Sequence, residues 1–181
     1  MVDYCVIPAC LSPDECDKYI QYIESLFSTD EDEDSEDNED SEDIEGYQRL
    51  RIKNSDISAF VEQKLSSQFD LSGLYIGHSW FPTKYIRDGG LCVHKDGRAY
   101  DDSNESVYTV LIYLNDDFEG GRTVIVNDGD EEIKDSSVVI EPKKGTVLIL
   151  DQEILHFAEK IAKGVKYILR GDIYPNTDKL Y

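Results

Sequence analysis

The chain has 181 residues, of which 40% are hydrophobic and 10% aromatic. That content can bury a core, which excludes wholesale disorder and fits one domain with appendages. Its 18 basic residues face 39 acidic ones, a formal net charge of -21, which argues against holding a bare phosphate backbone or an anionic membrane by counterion release.

The N-terminus reads as an opening strand followed by a helix. Ser12-Pro13-Asp14-Glu15 is a helix start: Ser12 caps, Pro13 suits the first helical position, and Glu15 completes a capping box. Ile20, Ile23, Leu26 and Phe27 follow at helical spacing and form one apolar stripe. The helix runs into an acidic segment, 28–46, whose core at 30–45 holds 12 acids and no base. Without it the chain has 27 acids against 18 bases, so the remainder is only moderately acidic. Such a run repels itself and buries nothing, and it reads as a disordered insertion into a single domain over 1–181. It also offers a docking strip for a basic partner, and acid-flanked phosphorylation sites at Ser35 and Ser41.

A second helix is expected over about 56–67, capped by Asn54 or Ser55, with Ile57, Phe60, Val61 and Leu65 on one face. From residue 74 the pattern turns to strands. LYIGHSWFPTKYI is aromatic and β-branched, with Pro82 at a bend or a sheet edge. SVYTVLIYLND, RTVIVN, SSVVIEP, GTVLILD and GVKYILRGDIYP follow, separated by Gly- and Pro-containing turns. Two or three helices and then seven or eight strands give a mainly β, α+β chain, a double-sheet barrel or jelly roll with helices on one sheet.

The four cysteines, at 5, 10, 16 and 92, form no C-x-x-C pair and no Cys/His cluster, so structural zinc is not indicated. Cys92 reads as a small core residue. The first 16 residues show no secretory pattern, and no 18-residue apolar run exists. The chain therefore reads as intracellular and cytoplasmic, with free thiols and no membrane contact.

Only three histidines exist, at 78, 94 and 156. His94 and Asp96 are two residues apart, so on a strand they share a face at roughly 7 Å. His156 lies 60 residues beyond Asp96, just after the strand GTVLILD. Two imidazoles and one carboxylate make the facial triad that binds Fe(II) and leaves positions open. Taken alone, the same residues fit satisfied core or surface histidines better than a metal site. Lys166, ten residues past His156, can supply a buried cation for the far carboxylate of a dicarboxylate cosubstrate, or it can be an outward strand lysine. Arg170, four residues on, shares its strand face and is a rival cation, or a strand-end salt bridge.

Several short motifs then occur in order. Tyr85, Gly89, Gly90, His94 and Asp96 give Y-x3-G-G-x3-H-x-D; Thr109, Tyr113, Leu114 and Asn115 give T-x3-Y-L-N. Gly120, Gly121 and Thr123 give G-G-x-T, Pro142 and Gly145 give P-x-x-G, and His156, Gly164 and Lys166 give H-x7-G-x-K. In these the chain resembles the Fe(II)/2-oxoglutarate-dependent dioxygenases, in their prolyl 4-hydroxylase-like branch, over most of its length.

The resemblance implies a double-stranded β-helix with iron on His94, Asp96 and His156, and 2-oxoglutarate on Lys166. Tyr85, Thr109 and Tyr113 match positions lining the cosubstrate pocket. The implied cofactors are Fe(II), 2-oxoglutarate and dioxygen, with ascorbate as reductant. The implied reaction hydroxylates a C–H bond, first of all on a prolyl residue of a protein or peptide, and releases succinate and carbon dioxide. A basic target suits the acidic surface. A free amino acid or other small molecule is the alternative substrate, and a non-catalytic binding module on the same fold is the rival class. A nucleic-acid demethylase would need a basic groove that the sequence lacks. The missing signal and the ending KYILRGDIYP, without a closing Trp, depart from the collagen-modifying members. The polar segment 97–106, GRAYDDSNES, is expected as a mobile lid or a plain solvent loop.

Overall fold

A computed structural model describes residues 3–29, 42–44, 46–101, 104–127 and 132–176. Most of the acidic run, with Ser35 and Ser41, lies outside the described residues. The chain opens with β1 (Tyr4–Ile7) and α1 (Pro13–Thr29). The expected capping box forms: the Ser12 amide donates to Glu15 Oε2 at 2.8 Å, and the Glu15 amide to Ser12 Oγ at 3.3 Å. Next come β2 (Glu42–Ile44), β3 (Tyr47–Arg49) and β4 (Ile52–Lys53). Two edges of the segment read as a disordered insertion are thus ordered: residues 28 and 29 close α1, and 42–44 pair with β3. Helix α2 (Ser55–Leu65) is capped by Asn54, whose Oδ1 accepts from the amides of Asp56 and Ile57.

The strand region comprises β5 (Leu74–Tyr85), β6 (Leu91–His94), β7 (Tyr100–Asp101), β8 (Asn104–Glu105), β9 (Tyr108–Tyr113) and β10 (Glu119–Gly120). It continues with β11 (Thr123–Ile125), β12 (Val138–Ile140), β13 (Val147–Asp151), β14 (His156–Ala158), β15 (Ile161–Lys163) and β16 (Lys166–Pro175). The major sheet runs β1-β13-β9-β16-β5-β3-β2, with β4 also on β5; the minor sheet runs β12-β11-β14-β6. Every pairing among the described strands is antiparallel. Two facing sheets with helices on the outer side of one make the double-stranded β-helix.

Strand parity divides the core. Val110 and Ile112 on β9, and Val147 and Ile149 on β13, point to α1 and α2 and join Ile23, Val61 and Leu65. Their neighbours Tyr113, Leu148 and Leu150 point between the sheets, with Tyr85, Ile161 and Ile168. On β16 the same alternation sends Lys166, Ile168 and Arg170 inward.

Pro82 is neither at a bend nor on an edge: it lies within β5, opposite Leu169 of β16. Its carbonyl accepts from the Leu50 amide at 3.2 Å. Leu50 sits between the β4 and β3 pairings of β5. The missing proline N–H faces that interruption, so no ladder bond is lost. Cys92, expected in the core, is exposed, because β6 is the outer strand of the minor sheet. No helix among the described residues is long and apolar enough to cross a membrane.

Candidate metal centre

Three elements bring the centre together. His94 ends β6 and His156 begins β14, and the two are direct partners in the antiparallel register. Asp96 follows two residues after His94, so the ligand atoms of all three lie within 4.8 Å of one another. The His94 and His156 rings are 4.3 Å apart between centroids. Each ring has Nδ1 against a backbone carbonyl, His94 on Cys92 at 2.8 Å and His156 on Ile154 at 3.0 Å. That contact sets the tautomer and leaves both Nε2 atoms as lone-pair donors. Both face one oxygen: Asp96 Oδ1 is 3.6 Å from His94 Nε2 and 3.9 Å from His156 Nε2. The other oxygen, Oδ2, accepts from Thr109 Oγ1 at 2.5 Å.

Charge is distributed to suit a cation. Burial pushes the Asp96 carboxyl up, but His94, Arg170, His156 and Thr109 outweigh it and hold it below the ordinary carboxylate range. Burial lowers His156, which favours its neutral form. His94 is raised, first by its contact with Asp96. Two nitrogen lone pairs and one carboxylate fit a borderline divalent ion. With their ligand atoms within 4.8 Å of one another, His94, Asp96 and His156 would be placed to hold one such ion.

The centre opens into a cavity of 420 Å³ between the sheets. Lys166 lines its far side and is only 2% exposed. Its ammonium donates to the Gly121 carbonyl at 2.6 Å and lies 5.4 Å from the ring centres of Tyr85 and Tyr113. Gly121 has φ +68, so the turn that aims this carbonyl favours glycine. With no carboxylate against it, the Lys166 amine is pushed down to about 7 by burial, with Glu159 opposing from a distance.

The remaining expected residues separate. Tyr85 lies opposite Lys166 in the β5–β16 register and faces the cavity. Tyr113 packs behind Lys166, its hydroxyl donating to Thr123 at 2.8 Å. Thr109 serves the metal end, on Asp96. Arg170 is also at the metal end: Nη2 is 3.8 Å from Asp96 Oδ1 and 3.1 Å from Asp172 Oδ1. Four strand residues, roughly 13 Å, separate it from Lys166, so the two cations serve opposite ends of the cavity.

Sequence reasoning missed Arg49 and Phe81 of the cavity wall, and Gln152 and Asp172 behind Asp96. Period-two alternation from Arg170 would have reached Asp172. Nothing local marks Gln152. Among the described residues of 97–106, β7 and β8 pair antiparallel, and both ends are tied to the body. Arg98 bridges Glu105 at 2.8 Å and Glu153 at 2.7 Å, and Tyr75 donates to Asp101 at 3.1 Å.

A sequence model of the 2OG-Fe(II) oxygenase superfamily matches residues 81–173. No curated protein matches the chain. Among solved structures, a viral collagen prolyl hydroxylase from Paramecium Bursaria Chlorella virus-1 aligns at 19% identity, covering 96% of each chain, with a TM-score of 0.66. A Pseudomonas putida prolyl-4-hydroxylase aligns at 17% identity over 96% of this chain and 92% of its own, with a TM-score of 0.67. A Trichoplax adhaerens prolyl hydroxylase, solved with a hypoxia inducible factor peptide fragment, aligns at 18% identity over 97% and 84%, with a TM-score of 0.65. At these identities the structural likeness speaks for the fold.

Proposed function

The chain belongs to the 2OG-Fe(II) oxygenase superfamily, and from that premise we propose that it is a prolyl hydroxylase acting on a protein or peptide. As a 2-oxoglutarate-dependent dioxygenase it uses Fe(II), 2-oxoglutarate and dioxygen. His94, Asp96 and His156 would hold the iron, and the observation that carries this is their convergence on Asp96 Oδ1. When bound, the iron and its cosubstrate supply an oxidant for a C–H bond and release succinate and carbon dioxide.

The chain's own residues do the rest. Lys166 would hold the distal carboxylate of 2-oxoglutarate, with Tyr85 beside it and Tyr113 supporting the lysine from behind. The apolar wall of Leu111, Leu148, Leu150 and Ile168 keeps water from the cosubstrate. The whole chain acts as one oxygenase domain, with 28–46 an acidic insertion that favours basic flanking sequence on the target.

A second substrate class, a free amino acid, is favoured by one observation: the guanidinium groups of Arg49 and Arg170 both line the cavity and suit a carboxylate.

The test is succinate formation from 2-oxoglutarate with Fe(II) and ascorbate, with and without proline-rich basic peptides, and with His94→Ala as control. His94-dependent succinate that rises with peptide supports the proposal. Succinate that rises only with free amino acids selects the second class. Absence of His94-dependent succinate refutes both.

A further inference from the structure

We propose that Gln152 is a positioning residue for the metal centre: through Thr109 it fixes which Asp96 oxygen is free to bind the ion. The inference rests on the metal reading above and extends it to a residue outside every motif.

The observation is a chain of hydrogen bonds with one direction. The Ala99 amide donates to Ser106 Oγ at 2.8 Å, and Ser106 Oγ donates to Gln152 Oε1 at 2.9 Å. Gln152 Nε2 then faces Thr109 Oγ1 at 3.5 Å and Asp172 Oδ1 at 3.0 Å. Thr109 Oγ1 donates to Asp96 Oδ2 at 2.5 Å. The two ends set the direction. A backbone amide only donates, and an ionised carboxylate only accepts. Ser106 Oγ, already accepting from Ala99, sends its proton to Gln152. That contact orients the glutamine amide, so its NH2 faces Thr109. The Thr109 oxygen is met by this donor, and its own proton goes to Asp96.

Burial keeps water from offering other partners: Ser106 is 0%, Gln152 1%, Asp172 1% and Thr109 3% exposed. The consequence falls on the metal ligand. With Oδ2 held by Thr109, Asp96 presents Oδ1 alone to the two histidines, as a monodentate ligand. A bidentate carboxylate would consume one of the positions that a chelating cosubstrate and dioxygen need. The chain also starts at Ala99, at the base of the β7–β8 hairpin, and so connects that hairpin to the metal ligand.

The experiment measures Mn(II) binding to the metal-free full chain, following free Mn(II) by electron paramagnetic resonance. Thr109→Val keeps the shape and removes the hydroxyl; its affinity should fall about 10- to 100-fold, the range seen when supporting partners of metal ligands are lost. Thr109→Ser restores the hydroxyl and should restore the affinity, which a purely packing role would not do. Gln152→Glu makes the glutamine position acceptor-only and draws the Thr109 proton away from Asp96. It should weaken Mn(II) by a similar factor, and the Thr109→Val/Gln152→Glu double variant should be no weaker than Thr109→Val. Gln152→Met, which adds no charge, serves in the cycle should Gln152→Glu fail to fold. Wild-type affinity in Thr109→Val or in Gln152→Glu overturns the inference, and so does simple multiplication of the two losses. Wild-type protein that binds no Mn(II) refutes the metal reading itself, a separate outcome.

Discussion

Lys166 offers a test that needs neither substrate nor metal. Lys166 is 2% exposed, and among the described residues its amine meets the Gly121 carbonyl and the faces of Tyr85 and Tyr113. Burial lowers it from 10.5 to about 7, a difference worth about 5 kcal/mol between charged and neutral forms. Because the folded value lies below the unfolded one, the cost is fully present below pH 7 and is relieved as pH rises toward 10.5. Between those limits the unfolded chain carries one more proton than the folded one. Wild-type stability should therefore rise by about 1.4 kcal/mol per pH unit relative to Lys166→Met, which has no proton to lose. Urea unfolding of the metal-free proteins at pH 7.5 and 9.5 measures it. The stability gap should change by about 2 to 3 kcal/mol in favour of wild type over that interval. Parallel pH–stability curves would refute the reasoning. The same amine should take up close to one proton when a dicarboxylate binds at pH 8.5, because the carboxylate supplies the missing counter-charge. Calorimetry in two buffers of different ionisation enthalpy reads that number directly.

Two further outcomes follow from packing and from the surface. In Gly171→Ala the new Cβ would sit 2.8 Å from the Trp80 ring, which is 0% exposed; overpacking there should cost about 1 to 3 kcal/mol in urea unfolding. Arg98→Ala removes exposed ion pairs to Glu105 and Glu153, so stability should change by less than about 1 kcal/mol. Proteolysis within the β7–β8 hairpin should nevertheless become faster, and an unchanged cleavage rate would show that the ion pairs do not restrain it.

The legible parts of this chain are those whose signal is local. The Ser12–Glu15 capping box, a cap at Asn54 or Ser55, and the strand parity that puts Lys166 and Arg170 on one face were readable from spacing; that this face is the inner one was not. So was the pairing of His94 with Asp96, because an i, i+2 relation needs only a strand. What stayed hidden depends on register between distant strands. Asp172 reaches Gln152 only because β16 lies beside β9 and β9 beside β13. Arg49 reaches the cavity because β3 lies on β5. Pro82 misled for the same reason: proline predicts an edge unless the neighbouring strand is itself interrupted, and the interruption at Leu50 is visible only after folding. Cys92 misled because its apolar neighbours do not reveal that β6 is an outer strand.

The surface and the cavity carry opposite fields, and together they restrict the proposed substrate. The chain as a whole bears -21, and on the proposed reading that field would draw basic sequence at long range. The cavity wall bears Arg49, Lys166 and Arg170 against the single carboxylate Asp96, with Asp172 behind it. Loading does not reverse this, since a divalent ion and a dicarboxylate cancel. A lysine side chain entering for oxidation would bring its ammonium toward Arg170, with both carboxylates already committed to that guanidinium or to the metal. That repulsion is strong in a cavity screened from solvent. An uncharged ring such as proline meets no such penalty, and its basic neighbours can remain outside against the acidic surface. The combination of an acidic exterior with a cationic interior thus favours a neutral target residue in a basic sequence over a basic target residue.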